Sequence, residues 1–513
     1  MAKRVFIAEK PSVAQEFARI LKVNGRRGDG YLESEDTIVT WCVGHLVTMS
    51  YPEVYDAALK KWSLDTLPFL PEKFLYEVIP GVKKQFDTVS YLLNREDVDT
   101  IYICTDSGRE GEYIYRLVDQ MAQVSANKKK LRVWIDSQTE EEILRGIREA
   151  KPMAEYDNIS SSAYLRAKED YLMGINFSRV LSLKYGFWLN DTLKGQKWTS
   201  VSVGRVMTCV LGMVVKREMQ IRDFVKTPFY RVIGNFELQG KKFQGEWKAV
   251  EGSKYYQSPA LYKENGFKEK ESALALIDSL MQPEPVLSEI EQVAKKKEKK
   301  NPPLLFNLAE LQNTASKLFK ISPDETLSVV QELYEKKLVT YPRTDARVLS
   351  SAVAKEIGKN LNGLQGYPMT ASFLPYISQN QTYKGLEKTR YVNDKQITDH
   401  YAIIPTGQGL SALSRLGELQ TKMYEVIVRR FLSIFYPPAV YQKLNVTVKA
   451  GEERFFTSTK VLLEEGFLPV TQYSFTKKKN PEEILSAEEK EEEKEESFDL
   501  KEEFNLLKKG TSV

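Results

Sequence analysis

Two short apolar runs, RVFIA (4–8) and TIYIC (100–104), are each followed within two residues by a carboxylate and then by an amphipathic helical pattern. Strands that repeatedly feed helices through short turns indicate an α/β layer on a mostly parallel sheet. After the first run, Ser12 and Gln15 form a capping-box pattern, with Val13, Phe17, Ile20 and Leu21 on one helical face. After the second, Ile114, Leu117, Val118 and Met121 repeat the periodicity, and LRVWI (131–135) reads as a third strand. Open sheets of this class collect ligands beyond the carboxyl ends of their strands. Glu9 and Asp106 are expected to stand there.

A chain of 513 residues exceeds the size at which a single core keeps growing, so several domains are expected. The spacing predicts an α/β domain over 1–155 and helices over 156–223. A strand-rich domain is expected from 224–294 and 407–475, a second helical domain over 295–406, and an acidic flexible tail over 476–513. AKKKEKKNPP (294–303) reads as a charged, proline-ended joint. Beyond it, Asn307 with Glu310, and Ser322 with Pro323 and Glu325, cap two helices, the second with Leu327, Val330 and Tyr334 inward. A helix from about 416 leads into the strands YQKLNVTVKA and RFFTSTKVLL.

No apolar run reaches the eighteen residues a membrane helix needs, so no span is expected. Three scattered cysteines without a C-x-x-C pair argue against a zinc ribbon or disulfide scaffold and fit a reducing cytoplasm. Residues 481–503 carry twelve acidic and three basic residues. Removing those nine net negative charges from the overall +4 leaves about +13 on the rest, a balance compatible with nucleic acid.

Around Asp106, TDSGREGE (105–112) adds Glu110 and Glu112. Clustered carboxylates at a strand end suit Mg²⁺, which takes oxygen ligands and shares them with phosphate. A lone D-x-x-x-E is more often a solvated turn. Glu9, arriving on a matching strand end from 97 residues upstream, keeps a site in contention. TYPRTD (340–345) is the most specific motif. Proline holds the preceding Tyr341 extended, and a phenol with a pKa near ~10 needs a base or positive field to act as a nucleophile. Arg343, two residues on and on the same side of an extended chain, can brace a phosphate with two hydrogen bonds.

At these residues the chain resembles a known family. FIAEKPSVA (6–14) and CTDSGREGEYIYRLV (104–118) are similar to the two signatures of the Toprim domain of type IA DNA topoisomerases, in particular the bacterial topoisomerase III kind. LFNLAEL…TYPRTDARVLS (305–350) is similar to that family's active-site region almost throughout, and the likeness covers roughly 3–475. It implies a multidomain toroidal fold, with an N-terminal Toprim domain and helical and β-rich domains around a hole that admits DNA. It also implies ATP-independent cutting and resealing of one DNA strand, with relaxation or decatenation by strand passage.

By that resemblance Tyr341 attacks the backbone and keeps the 5′ phosphate, so resealing needs no nucleotide. Arg343 stabilises the transferring phosphoryl group and Lys10 contacts the scissile phosphate. Glu9 transfers a proton and stands near Mg²⁺ with Asp106 and Glu110. The family's D-x-D-x-E is here Asp106-x-Gly108-x-Glu110, without the second aspartate. In TDHYAIIPT (398–406), His400 matches a histidine that bonds DNA phosphate; in VGHLVTM (43–49), His45 is expected to orient the loop beside Glu9.

AKEDYLMGINFSRV (167–180) and TSVSVGRVMTCVLGMVVKRE (199–218) resemble the domain that leads single-stranded DNA to the site. There Arg179 and Arg205 are expected on phosphates, Ser202 and Thr208 as hydroxyl donors, and Gly204 at a close backbone approach. Met207 and Cys209 stand where the family has glutamine and proline. The family core continues past the acidic tail into a further helical stretch, which this chain is expected to lack or to obtain from another polypeptide. Two rival readings remain: another Toprim enzyme, a primase or nuclease, or a DNA-binding remnant without full activity.

Overall fold

Lys3–Ala8 forms strand β1, with Val5 and Ile7 on one face and Phe6 and Ala8 on the other, all buried. A strand apolar on both faces must be covered on both sides, which is the lot of a central parallel strand. In the computed structural model, which describes residues 2–135, 140–194, 198–282, 286–397, 400–476 and 508–513, β1 sits within a seven-stranded sheet. Its partners are β2 (Arg26–Gly28), β3 (Tyr31–Glu33), β4 (Thr37–Trp41), β5 (Val98–Cys104), β6 (Lys129–Arg132) and β7 (Lys151–Pro152), in the order β2-β3-β4-β1-β5-β6-β7. The four central strands are parallel, with antiparallel strands at both edges. The third strand thus starts at Lys129 and ends at Arg132, two residues ahead of the expected LRVWI.

Helix α1 (Pro11–Ile20) covers one face through Val13, Ala14 and Phe17. Its N-cap is Lys10, with Pro11 at the first helical position. Proline's fixed φ starts this helix, and no side-chain cap forms, so the expected Ser12–Gln15 box is not what sets its start. Helices α2 (Lys83–Asn94) and α3 (Arg109–Met121) cover the opposite face with Val89, Leu92, Leu93, Ile114, Leu117 and Val118.

Helix α4 (Glu140–Arg148) packs Ile143 beside α1's core. Two helices follow, α5 (Asp157–Thr192) and α6 (Arg205–Arg222). Among the described residues, no helix is long and apolar enough to cross a membrane.

The chain divides into two compact units, Met1–Asp223 with Arg343–Ile357 and Glu387–Ala402, and Phe224–Pro342 with Gly358–Leu386 and Ile403–Val513. The expected 295–406 domain is therefore shared between them. The second unit contains β8 (Ile233–Leu238), β9 (Lys241–Lys248), α7 (Lys270–Leu280) and β10 (Ser288–Lys300). After these come α8 (Leu308–Phe319), α9 (Pro323–Glu335), α10 (Glu418–Ser433), β11 (Ala439–Ala450) and β12 (Glu453–Glu464).

Its antiparallel sheet runs β8-β9-β12-β11-β10 over a core of Phe236, Phe243, Trp247, Ile290, Leu444, Val446 and Val448. The expected joint at 294–303 is mostly the second half of β10, paired with β11 through Lys300. Its lysines tolerate a strand because an edge strand leaves them in water. Helix α7, inside a stretch read as strands, is a further correction. The caps of α8 and α9 form as expected, Asn307 accepting from the Glu310 N–H and Ser322 with Glu325 closing a full capping box. The acidic run of the tail lies outside the described residues, while 508–513 pair with the start of β10.

One buried pair holds the strand ends of the first unit. Arg132 and Glu112 are both fully buried and joined at 2.9 Å. The same guanidinium donates to the carbonyls of Ile103, Thr105, Val133 and Asp106 at 2.7 to 3.1 Å. Glu112 also accepts from Arg116 at 2.8 Å. Arg132→Met leaves a carboxylate short of one partner and four carbonyls without this donor. It is expected to cost about 3–5 kcal/mol, read as a fall in the urea-unfolding midpoint of the full chain; a midpoint unchanged within error would refute this role.

Candidate active site

β1 and β5 are parallel and in register, with Ala8 opposite Cys104. The next residues of each strand therefore leave the sheet side by side. The Asp106 N–H donates to Glu9 Oε2 at 3.2 Å. Lys10 Nζ bridges the two carboxylates, 2.7 Å from Asp106 Oδ2 and 3.4 Å from Glu9 Oε1. His400 Nε2 lies 3.4 Å from the same Asp106 Oδ2. Four residues from three distant stretches of sequence thus converge.

Their environments push the two carboxyls apart. Burial first, and then the charge of Asp106, raise Glu9 above its ordinary value against the pull of Lys10. Burial would also raise Asp106, but His400 and Lys10 outweigh it and hold that carboxyl well below the usual range. A pair split this way offers one group suited to hold a proton and one fixed anion.

Glu110 does not join them. Its side chain is 73% exposed and faces His45 Nε2 at 3.9 Å, which lowers its carboxyl below the ordinary value. His45 also packs edge-on against Tyr113. The loop beside Glu9 is held instead by backbone, the Gly44 N–H donating to the Glu9 carbonyl at 3.3 Å. Glu112 is turned into the core.

Among the described residues no three His, Cys, Asp or Glu side chains are grouped to hold a metal. Glu9 and Asp106 still fit a Mg²⁺-like ion, which commonly takes one or two carboxylates and completes its shell with phosphate and water.

Tyr341 is the last residue but one of a segment of the second unit, and Arg343 opens one of the first. Burial alternates along the motif: Pro342, Thr344 and Ala346 are buried, Arg343 and Asp345 exposed. That two-residue period is the extended course predicted from proline. Tyr341 is half-buried, edge-on to Tyr334 of α9 with centroids 5.4 Å apart.

In the first unit, Thr344 Oγ1 donates to the His400 carbonyl at 2.7 Å and accepts from the Ala346 N–H at 3.1 Å. The Ala402 N–H bonds the Val348 carbonyl. Residues just beyond the tyrosine therefore position the histidine that reaches Asp106. Sequence reading missed Thr344, although it lies within the motif itself.

The groove residues divide. Arg205 begins α6, with extended Gly204 as its N-cap and open space where a Cβ would stand. Arg205 pairs with Asp170 at 3.2 Å. Together with Arg109, Arg166, Val206, Cys209 and Val210 it lines a cleft of about 480 Å³. Arg109 and Arg166 were missed; the first opens α3 directly after Gly108, and the second precedes Asp170 by one helical turn. Ser202, Met207 and Thr208 are exposed. Arg179, expected on phosphate, is buried instead; it donates to the Leu59 carbonyl at 3.0 Å and lies over the Trp62 ring.

A family model described as DNA topoisomerase matches residues 154–510, and the Toprim domain model matches residues 4–137. The chain is 37% identical over 472 residues to DNA topoisomerase 3 of Bacillus subtilis strain 168, covering 92% of this chain and 60% of that protein. It is 36% identical over 482 residues to DNA topoisomerase 3 of a Bacillus cereus strain, covering 93% and 60%. It thus spans about three fifths of the length of these relatives. Among solved structures, full-length topoisomerase I from Thermotoga maritima is similar with a TM-score of 0.57 at 21% identity, over 93% of this chain and 69% of that one.

One glycine is indispensable to the carboxylate centre. A Cβ on Gly111 would lie 2.1 Å from the Asp106 carbonyl oxygen, and Thr105 Oγ1 donates to the Gly111 carbonyl at 2.8 Å. Backbone cannot swing aside as a side chain can. Gly111→Val is expected to displace Asp106 and lower the melting temperature of the full chain by roughly 5 °C or more. A calorimetric scan matching the unaltered chain would show that the turn absorbs the added carbons.

Proposed function

Because this chain belongs to the type IA DNA topoisomerase family, in its topoisomerase III-like branch, we propose that it cuts and reseals one DNA strand through Tyr341. The observation that carries this reading is the run of contacts Thr344–His400–Asp106–Lys10–Glu9, which ties the residues after the tyrosine to the strand-end carboxylates. Its substrate is DNA, chiefly single-stranded segments led along the arginine-lined cleft, and its setting is the cytoplasm.

In the proposed reaction the Tyr341 oxygen bonds to the scissile phosphorus as its phenolic proton passes to water. The 3′ oxygen leaves and takes a proton from Glu9, whose raised affinity for one suits it to that task. Lys10 and Arg343 hold the charge that develops on the phosphoryl oxygens. Asp106, kept anionic, orients Lys10 and His400. Magnesium, held by Glu9 and Asp106, would supply further positive charge at the phosphate. The phosphotyrosine conserves the energy of the broken ester, so the 3′ hydroxyl reseals the strand without ATP. Passage of another strand through the break relaxes or decatenates DNA.

Tyr341→Phe removes the attacking oxygen and little else. It should abolish the covalent adduct on denaturing gels while single-strand affinity stays within about twofold, and an adduct formed by this variant would sink the assignment. Replacing a charged ligand by an amide weakens its hold on a divalent ion, so Asp106→Asn should raise the Mg²⁺ concentration at half-maximal cleavage by roughly tenfold or more. An unshifted magnesium titration would remove Asp106 from the ligand set.

A further inference from the structure

The face of the second unit's sheet turned away from its core carries a row of cations. Lys296 of β10 stands directly opposite Lys443 of β11, which in turn stands opposite Lys460 of β12. Residues in register share one face, so three ammonium groups line up over two strand spacings, about 10 Å. Like charges placed directly opposite destabilise a sheet. Glu298, two residues from Lys296 on the same face, bonds Lys460 at 3.0 Å. Its carboxyl is held below the ordinary value by that bond first and by the charges of Lys443 and Lys296 as well. Among the described residues, Glu298 is the carboxylate bonded within this row.

Protection of an exposed edge would explain lysines on β10, which is the edge strand. It does not explain Lys443, which is paired on both sides, whereas Lys460 lies beyond the stretch of β12 that pairs with β9.

Six residues along β11, about 20 Å away, a second cationic row crosses the same face. There Lys449 stands between Glu289 and Arg454, and Arg454 opposite Lys248, so three cations and one carboxylate make up the row. Arg454 is paired with Glu291 at 3.0 Å. Between the rows lie Ala294, Asn445 and Ser458, then Gln292 and Thr447, all small or neutral. Phe456 lies under the Lys248 ammonium and Tyr441 is buried, so bases find no open ring on which to stack. Single-strand surfaces rely on such rings; this face, with cations set about a duplex width apart, suits backbone phosphates alone.

We propose that this sheet face, centred on Lys296, Lys443 and Lys460, binds the phosphate backbone of duplex DNA at a site separate from the one where a strand is cut. The inference rests on the chain's acting on DNA, and its experiment keeps the two claims apart. In the full chain, Lys296, Lys443 and Lys460 are changed together to glutamine. Binding to a 30-base-pair duplex is followed across salt concentrations, and adduct formation is measured on a short single-stranded oligonucleotide.

Three lost phosphate contacts should flatten the slope of log affinity against log salt by about 2 to 3, with adduct formation unchanged. A control variant, Lys22→Gln with Lys129→Gln and Lys270→Gln, should keep the original slope. An unaltered slope in the first variant, or an equal fall in the control, would overturn the site. If the unaltered chain binds no DNA at all, the parent reading fails and takes this one with it.

Discussion

The guanidinium of Arg132, sealed in the core against Glu112, is the interaction on which the first unit's chemistry depends. A buried ion pair contributes little net stability, because desolvating two charges offsets most of their attraction. What it supplies here is position. The rigid fork makes five hydrogen bonds, to Glu112 and to the carbonyls around the ends of β5 and β6, including that of Asp106. Gly111, with no Cβ, lets α3 close against the same carbonyl. The turn between β5 and α3 is thereby clamped from both sides, and Asp106 has one place to be.

From that clamp the electrostatics follow. Parallel register brings Glu9 beside Asp106, and two carboxylates in a buried corner cannot both ionise freely. Lys10 touches both, and His400 adds its pull at Asp106, so the balance tips one way. Asp106 stays anionic and Glu9 retains its proton more tightly. A proton donor and a fixed charge arise from two chemically similar side chains through the asymmetry of their neighbours.

His400 in turn depends on Thr344. The threonine hydroxyl is donor to the histidine carbonyl and acceptor from Ala346, so the chain after the tyrosine and the chain around the histidine hold one another. Family membership accords with this economy. TYPRTD is usually read for its tyrosine and arginine, yet its buried threonine supports the imidazole that reaches the carboxylate centre.

Much of this was legible in the residues alone. Buried strands that run straight into amphipathic helices declared the α/β layer, because burial on both faces demands apolar residues at every position. Capping at Asn307 and Ser322 was legible because it is local. Proline announced the extended course of the tyrosine segment. The motifs also named Glu9, Lys10, Asp106 and His400, which the fold brings together.

Only the tertiary structure decided which groups meet. Arg179 and Arg205 look alike in sequence, yet one is buried over Trp62 and the other lines an open cleft. Glu110 and Glu112 are two residues apart, yet one faces solvent and the other the core. The lysines of 295–300 read as a joint because local charge says nothing of a partner strand 139 or more residues away. Local propensity acts over a few residues, whereas burial, ion pairing and strand register are set by neighbours distant in the chain.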